Sequence, residues 1–498
     1  MAKIKFDVPE LKKFPATPAM VDGAMAHVTT YPASPQHQRD LGFPGELVDN
    51  WEVKAVEKLG DLLKKNKALR VYLDSCVKCG ACTDKCHYFL GTGDPKNMPV
   101  ARQDLLRSVY RRNFTIGGKL FPGLVGAKDM NKEMLDDWYK YYHQCSQCRR
   151  CSVFCPYGID TAEISMAARE IMDHIGVGQK YCNEIIAKLH KTGNNLGLLK
   201  PALENTLEGL EEDVEEETGV AVKFPVDQEG ADVLLITPSA DFFAEPHVDG
   251  LIGYAKVFHQ AGINWTVSSY ASEAANFAMF IGSYEQMHKV SGRIRKAARE
   301  LGAKRIIFGE CGHAWRVAYS FLNTLAGPWD FLDPKYPVPQ HICEVTLDLI
   351  ERGALNLDST ANDDKVLTFH DSCNVARATR IGSKPGGQFH IPRAVIKACV
   401  NKFVDMPADT IREKTFCCGG GGGLLTDDLM EIRVKGALPR MEALKEVVDN
   451  YGVTHMAAIC AICKSQFAKV MPYYGFGMDM VVSVHQMISN AIQLGTKE

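Results

Sequence analysis

Apolar positions recur at helical spacing through much of the first 200 residues. In "PVARQDLLRSVYRR" (99–112), Pro99 stands where a helix opens and the apolar residues follow with a helical period. "DTAEISMAAREIMDHIG" begins with Asp160 or Thr161 as N-cap and continues with one apolar face. From residue 231 the texture changes to short apolar runs separated by helical stretches. "ADVLLITPS", "KRIIFGECG", "DKVLTFHDSC" and "VTHMAAICAIC" read as buried strands, so this part is expected to build α/β units with parallel sheets. Between the two textures, residues 201–230 carry an acidic run, Glu211–Glu217, expected to be a linker or solvated surface helix. Residues 1–50 are Pro-rich and unperiodic, which predicts an extended segment that wraps a partner.

The α/β part repeats itself. "VLLITPSADF" is similar to "VLTFHDSCNV", and "QHICEVTLDLI" to "VVSVHQMISNAI". "GAKRIIFGECGHAW" aligns with "GVTHMAAICAICKS", setting Cys311 against Cys460 and Ala314 against Cys463. "YASEAANFAMFIGS" takes the place of "KTFCCGGGGGLLTDD" without its cysteines. The expectation is a duplicated domain, with a degenerate copy at 231–360 and an intact copy at 361–498.

The 498 residues suffice for about two to four domains. A formal net charge of −3 without a basic arm argues against nucleic-acid binding. No apolar run reaches the roughly 18–20 residues of a membrane span, and the N-terminus lacks a secretory h-region. A cytoplasmic protein is expected, reaching a membrane only through partners.

Seventeen cysteines alter this picture, because an odd count without a secretion signal favours metal or catalysis over disulfides. "CVKCGACTDKC" and "CSQCRRCSVFCP" each have the spacing C-x2-C-x2-C-x3-C. That is the bacterial ferredoxin run for [4Fe–4S] clusters, whose fourth cysteine ligates the other cluster. Cys76, Cys79, Cys82 and Cys155 are therefore assigned to one cubane, and Cys145, Cys148, Cys151 and Cys86 to a second. Zinc sites instead favour paired C-x2-C knuckles. The 58 residues between Cys86 and Cys145 are too many for a compact ferredoxin hairpin and read largely as helix, so 51–200 is an α-helical two-cluster ferredoxin domain. His87 stands where proline usually follows the run and is read as a tolerated residue.

The intact copy adds Cys373, Cys417, Cys418, Cys460 and Cys463. Adjacent Cα atoms lie about 3.8 Å apart, short of the usual disulfide span. Cys417 and Cys418 therefore read as two thiolates on a sharp turn serving one large cluster. The following glycines permit positive φ and bring bare N–H groups close to sulfur. A phosphate loop would need lysine and Ser/Thr after the glycines, and none is there.

The order C…CCG…CxxC, joined to a two-cluster helical ferredoxin, resembles the D subunits of heterodisulfide reductases, from about residue 60 to the end. Within that family, "CHYFLGTGDPKNMPVARQDLLRSVYRR", "FHDSCNVARATRIG" and "FDVPELKKFPATPAMVDGA" are similar to the K subunit of the Dsr membrane complex of sulfite-reducing and sulfur-oxidising microbes. The resemblance implies that the five cysteines hold a noncubane [4Fe–4S] cluster and act in catalysis. It also implies electron exchange between a membrane haem b quinol-oxidising subunit (DsrM-like), with further subunits, and the disulfide or trisulfide of the small carrier DsrC. The place of work is then the cytoplasmic face of the membrane. His370 would donate a proton or orient a thiolate, and Cys311 is read as a relic of the lost site or else as a spare thiol that catches the leaving sulfur. The alternative is an electron-relay subunit of a quinone-linked flavin dehydrogenase, of glycerol-3-phosphate or glycolate type. Its flavin would lie on another chain, because no G-x-G-x-x-G follows a strand here.

Overall fold

Local chemistry sets the helix starts. Pro99 occupies the first turn of the helix Pro99–Phe114, where its missing N–H has no intrahelical partner to lose. Asp160 caps Thr161–His174 by accepting the Ala162 N–H at 2.9 Å, and Asn131 caps Lys132–His143 by accepting that of Met134, also at 2.9 Å. These helices belong to a computed structural model that describes residues 34–495. Its chain contacts divide into two units.

The first unit takes the described residues up to Ala187, together with Phe277–Tyr284 and Phe416–Glu442. Its core joins the helices Trp51–Lys65, Pro99–Phe114, Lys132–His143 and Thr161–His174 through buried Leu59, Leu106, Leu135 and Ile171. Trp138 meets Tyr142 edge-on with ring centroids 5.8 Å apart, a favoured aromatic geometry. Within the expected extended segment 1–50, residues 35–40 are helical. Gln38 there is buried and accepts the Gly178 N–H at 2.7 Å. The rest of that expectation, over residues 1–33, lies outside the described residues.

The second unit takes Lys188–Asn276, Glu285–Thr415 and the described residues from Ala443 on. Its acidic stretch is the helix Lys200–Thr218. Leu203, Leu207, Leu210 and Val214 form a buried stripe on it, while Glu212, Asp213, Glu215 and Glu216 are exposed. Strand β1 (Val233–Ile236) pairs in parallel with β2 (Trp265–Val267) and β3 (Arg305–Phe308), and β4 (Gln340–His341) lies beyond β3. A second parallel sheet runs β5 (Leu367–His370), β6 (His455–Ala458), β7 (Val481–Val482), with Leu367 also bridged in parallel to Phe403. The order Phe403–β5–β6–β7 thus follows the order β2–β1–β3–β4. Strands β1 and β5 are buried along their whole length, which is why they read as unbroken apolar runs.

The molecule is therefore mixed: largely helical, with small parallel sheets. Among the described residues, no helix is long and apolar enough to cross a membrane.

Candidate functional site

None of the 17 cysteines is joined in a disulfide. In the first unit, Cys76, Cys79, Cys82 and Cys155 line one cavity, joined there by Cys151. Burial pushes the Cys82 thiol up to about 11, and the neighbouring Cys76 and Cys155 add to the rise. To ligate a metal, such a thiol would have to give up its proton.

Cys86, Cys145 and Cys151 gather near one cation, the buried Arg102. Burial would raise the Cys86 thiol, but Arg102 and His87 beside it hold it below a free thiol's range. Burial pushes Cys151 up to about 12, helped by Cys145 and Cys86. The Gln147 N–H donates to Cys145 Sγ at 3.4 Å. His87 is more than a tolerated residue: its ring bridges the Gly436 carbonyl (2.7 Å) and Ser146 Oγ (2.8 Å), and it also interacts with the Cys417 thiol.

Cys417 and Cys418 are buried in this same unit. The N–H groups of Gly419 and Gly420 donate to Cys417 Sγ at 3.4 Å and Cys418 Sγ at 3.5 Å. Tyr88 donates its hydroxyl to the Gly419 carbonyl at 2.6 Å. Gly422 (φ +73) lies against the second cysteine run, where a Cβ would stand 2.6 Å from Cys145 O, and Gly423 (φ +90) lies against Cys182, where a Cβ would stand 2.6 Å from its Sγ. The five-glycine stretch therefore serves positive φ, close backbone approach and donation to sulfur at once.

In the second unit, Cys311 and Cys460 stand at the carboxyl ends of β3 and β6, each at the N-cap of the helix that follows. Cys311, Cys463 and His313 all interact with Cys460, with His313 Nδ1 3.5 Å from its sulfur. Burial would raise Cys460, but hydrogen bonds with Cys311 and Cys463 and the His313 ring hold it well below the ordinary thiol value. Cys311 is correspondingly pushed up, first by its hydrogen bond to Cys460 and then by burial. Cys373 opens the helix after β5, and Asn374 Nδ2 donates to its sulfur at 3.4 Å. His370 closes β5 with its buried ring edge-on to Phe467, centroids 4.9 Å apart. Asp371 is taken up by a bidentate pair with Arg393, both contacts 2.8 Å.

A buried network supports this corner. Glu310, next to Cys311, accepts from His485 Nδ1 at 2.7 Å and from the His485 N–H at 2.8 Å, and lies 3.5 Å from Lys464 Nζ. Lys464, next to Cys463, donates to Ser483 Oγ at 2.8 Å. Burial alone would raise Glu310, yet Lys464 and His485 pull it down to about 2. Glu310→Gln leaves Lys464 charged and enclosed, so a loss of about 3–5 kcal/mol is expected in denaturant unfolding of the full chain. Glu310→Gln/Lys464→Met is expected to recover part of it. An unchanged midpoint for Glu310→Gln would show the pair to be inert.

The residues fit iron–sulfur clusters: thiols gathered around a cavity, backbone N–H groups aimed at sulfur, and buried cations beside them. Reading by spacing missed Arg102, Tyr88, Glu310 and Glu310's partner His485. The first three carry no periodic or motif signal, since their role comes from neighbours distant in the chain.

A family model for a 4Fe-4S dicluster domain matches residues 72–159. The chain is 41% identical over 479 residues to the Hdr-like menaquinol oxidoreductase iron-sulfur subunit of Archaeoglobus profundus, covering 90% of this chain and 84% of that one. It is 40% identical over 477 residues to the Hdr-like menaquinol oxidoreductase iron-sulfur subunit 2 of Archaeoglobus fulgidus, with the same shares. It is 24% identical over 442 residues to the D subunit of the dihydromethanophenazine:CoB–CoM heterodisulfide reductase of Methanosarcina mazei, covering 85% of this chain and 95% of that one. No solved structure matches.

Proposed function

The chain belongs to the Hdr-like menaquinol oxidoreductase iron–sulfur subunits, and on that premise we propose that it carries electrons between a quinol-oxidising membrane partner and a sulfur–sulfur bond. Two [4Fe–4S] clusters would be held by Cys76, Cys79, Cys82 and Cys155, and by Cys145, Cys148, Cys151 and Cys86. A third, noncubane one is assigned from the cysteine order in the sequence to Cys373, Cys417, Cys418, Cys460 and Cys463. When bound, such clusters supply electrons singly, whereas a sulfur–sulfur bond takes a pair.

The protein's own groups prepare these sites. The N–H groups of Gln147, Gly419 and Gly420 donate to the sulfurs of Cys145, Cys417 and Cys418. Arg102 offsets the charge of the second run. His87 follows Cys86 directly and interacts with Cys417, which makes a short bonded path from the second cubane run to the CCG turn. The observation that carries the reading is the buried group Cys311, Cys460, Cys463 and His313. Three of these are thiols beyond what the two ferredoxin runs require, and the imidazole lies against one of them.

The shared strand order, with Cys311 and Cys460 each capping the helix after the equivalent strand, supports a duplicated CCG-type domain. The membrane partner is read as a haem b subunit of DsrM type, the carrier as DsrC, and the place as the cytoplasmic face of the membrane.

The test uses the whole complex, purified without oxygen. Cys460→Ala is expected to cut quinol-dependent reduction of a disulfide carrier by more than about a hundredfold, beyond the 10–100-fold of a lost supporting bond. Both cubane EPR signals should persist. If the variant keeps its turnover, or if the complex co-purifies with a flavoprotein and ignores every thiol carrier, the relay reading replaces this one.

A further inference from the structure

Residues 114–125 of the first unit display apolar side chains that no described residue of the unit covers. Ile116 is 79% exposed, Leu120 65%, Phe121 59% and Leu124 86%, and Phe114 is partly exposed beside them. Ile116 and Leu120 sit on the short helix Ile116–Leu120 and Leu124 on Pro122–Val125, with Phe121 between the two and Phe114 at the end of the helix before them.

The element is rigidly built. Thr115 Oγ1 accepts the Gly118 N–H at 3.1 Å, Arg111 Nη1 donates to the Val125 carbonyl at 2.8 Å, and the Lys128 N–H bonds Ser108 O at 3.1 Å. At Gly118 a Cβ would lie 1.8 Å from Arg111 O, so the first short helix is pressed directly onto the end of the helix Pro99–Phe114. Exposed apolar side chains on a fixed backbone mark a binding surface rather than fraying.

Charge and shape decide the occupant. Between Asp104 and Asp129 the chain carries Arg107, Arg111, Arg112, Lys119 and Lys128; Asp104 pairs with the buried Arg107 and Asp129 with Arg112, so the outward positive excess rests on Lys119 and Lys128. Lys119 is exposed on the element itself and Lys128 just after it. The apolar residues project from helix tips, as an interfacial anchor does, with cations at headgroup level. The family's electron donor is a membrane-soluble quinol, so the chain works beside a bilayer.

We propose that residues 114–125 are a preformed wedge that inserts Ile116, Leu120, Phe121 and Leu124 into the headgroup layer of an anionic membrane. This goes beyond attachment through partner subunits, because the chain itself contacts lipid. It also orients the chain. Lys78 lines both the cavity beside Leu124 and the cavity of Cys76, Cys79, Cys82 and Cys155. Insertion therefore brings the first cubane site, with its exposed Cys79, toward the bilayer.

The full-length, cluster-loaded chain is floated with phosphatidylcholine vesicles and with vesicles containing phosphatidylglycerol. The wild type is expected to float with the anionic vesicles and to leave them as salt rises. Phe121→Ser/Leu124→Ser is expected to lower partitioning at least about tenfold. Lys119→Glu/Lys128→Glu should lose the preference for anionic vesicles. Cluster absorbance and melting midpoint, unchanged in both variants, show that the fold is intact. The proposal fails if the wild type stays unbound with both vesicles, or if all three proteins float equally. It fails too if the serine variant detaches only from the membrane subunit, which would make the patch a protein interface.

Discussion

Cys155→Ala will erase the same cubane signal as Cys76→Ala, and Cys86→Ala the same one as Cys145→Ala. Each variant is expected to lose about four iron atoms per chain and one of two EPR signals separable by redox titration. The proposed pairing crosses the two runs, and the cavity lining, which also includes Cys151, is what motivates it. Cys155 lines the cavity of Cys76, Cys79 and Cys82 although it closes the other run. Cys86 and Cys145 act together on Arg102. A cluster that loses one thiolate is left with an open iron, and a serine substitute would keep it at altered potential. Alanine is therefore the sharper probe. If Cys155→Ala instead removed the signal lost in Cys145→Ala, each run would be ligating its own cluster.

Arg169→Met is expected to prevent stable folding of the first unit. The Arg169 guanidinium is buried and donates to the carbonyls of Tyr142 (2.6 Å), Cys145 (2.7 Å), Phe280 (2.7 Å) and Gly422 (2.9 Å). It thereby joins three separate stretches of sequence at the second cysteine run. Methionine fills similar volume but leaves those carbonyls unpaired, at about 1–3 kcal/mol each. The total exceeds about 4 kcal/mol, which is a large part of the roughly 5–15 kcal/mol that holds a domain folded. The measurements are soluble yield, iron content and the denaturation midpoint of the full chain. A variant that keeps its clusters and melts within a few degrees of wild type would refute this role.

What could be read beforehand was whatever the chemistry writes into neighbouring positions. Cysteine spacing declared the ferredoxin runs because a tight turn must present three thiolates within a few residues. Pro99 and Asp160 declared helix starts because capping is local. Strands β1, β3, β5 and β6 showed as apolar runs, whereas β2, β4 and β7 have only two or three residues and show no period. Arg102 and Arg169 lie in helical stretches where arginine ordinarily means a solvated face, and their partners are carbonyls or thiols far away in sequence. Likewise, "FCCGGGGGLL" sits in sequence inside the last α/β repeat. Its companions, Tyr88, His87 and Cys145, belong to the ferredoxin part, and nothing in the local pattern announces them.

The membership of Phe416–Glu442 in the first unit has a consequence for how the protein is made. The His87 bond to Gly436 spans 349 positions, and at a translation speed of about 5–20 residues per second its partner emerges on the order of 17–70 s later. The ferredoxin part thus leaves the ribosome unfinished and waits for nearly the whole chain. Iron delivery during synthesis meets an open pocket there, and a truncated transcript leaves it open for good.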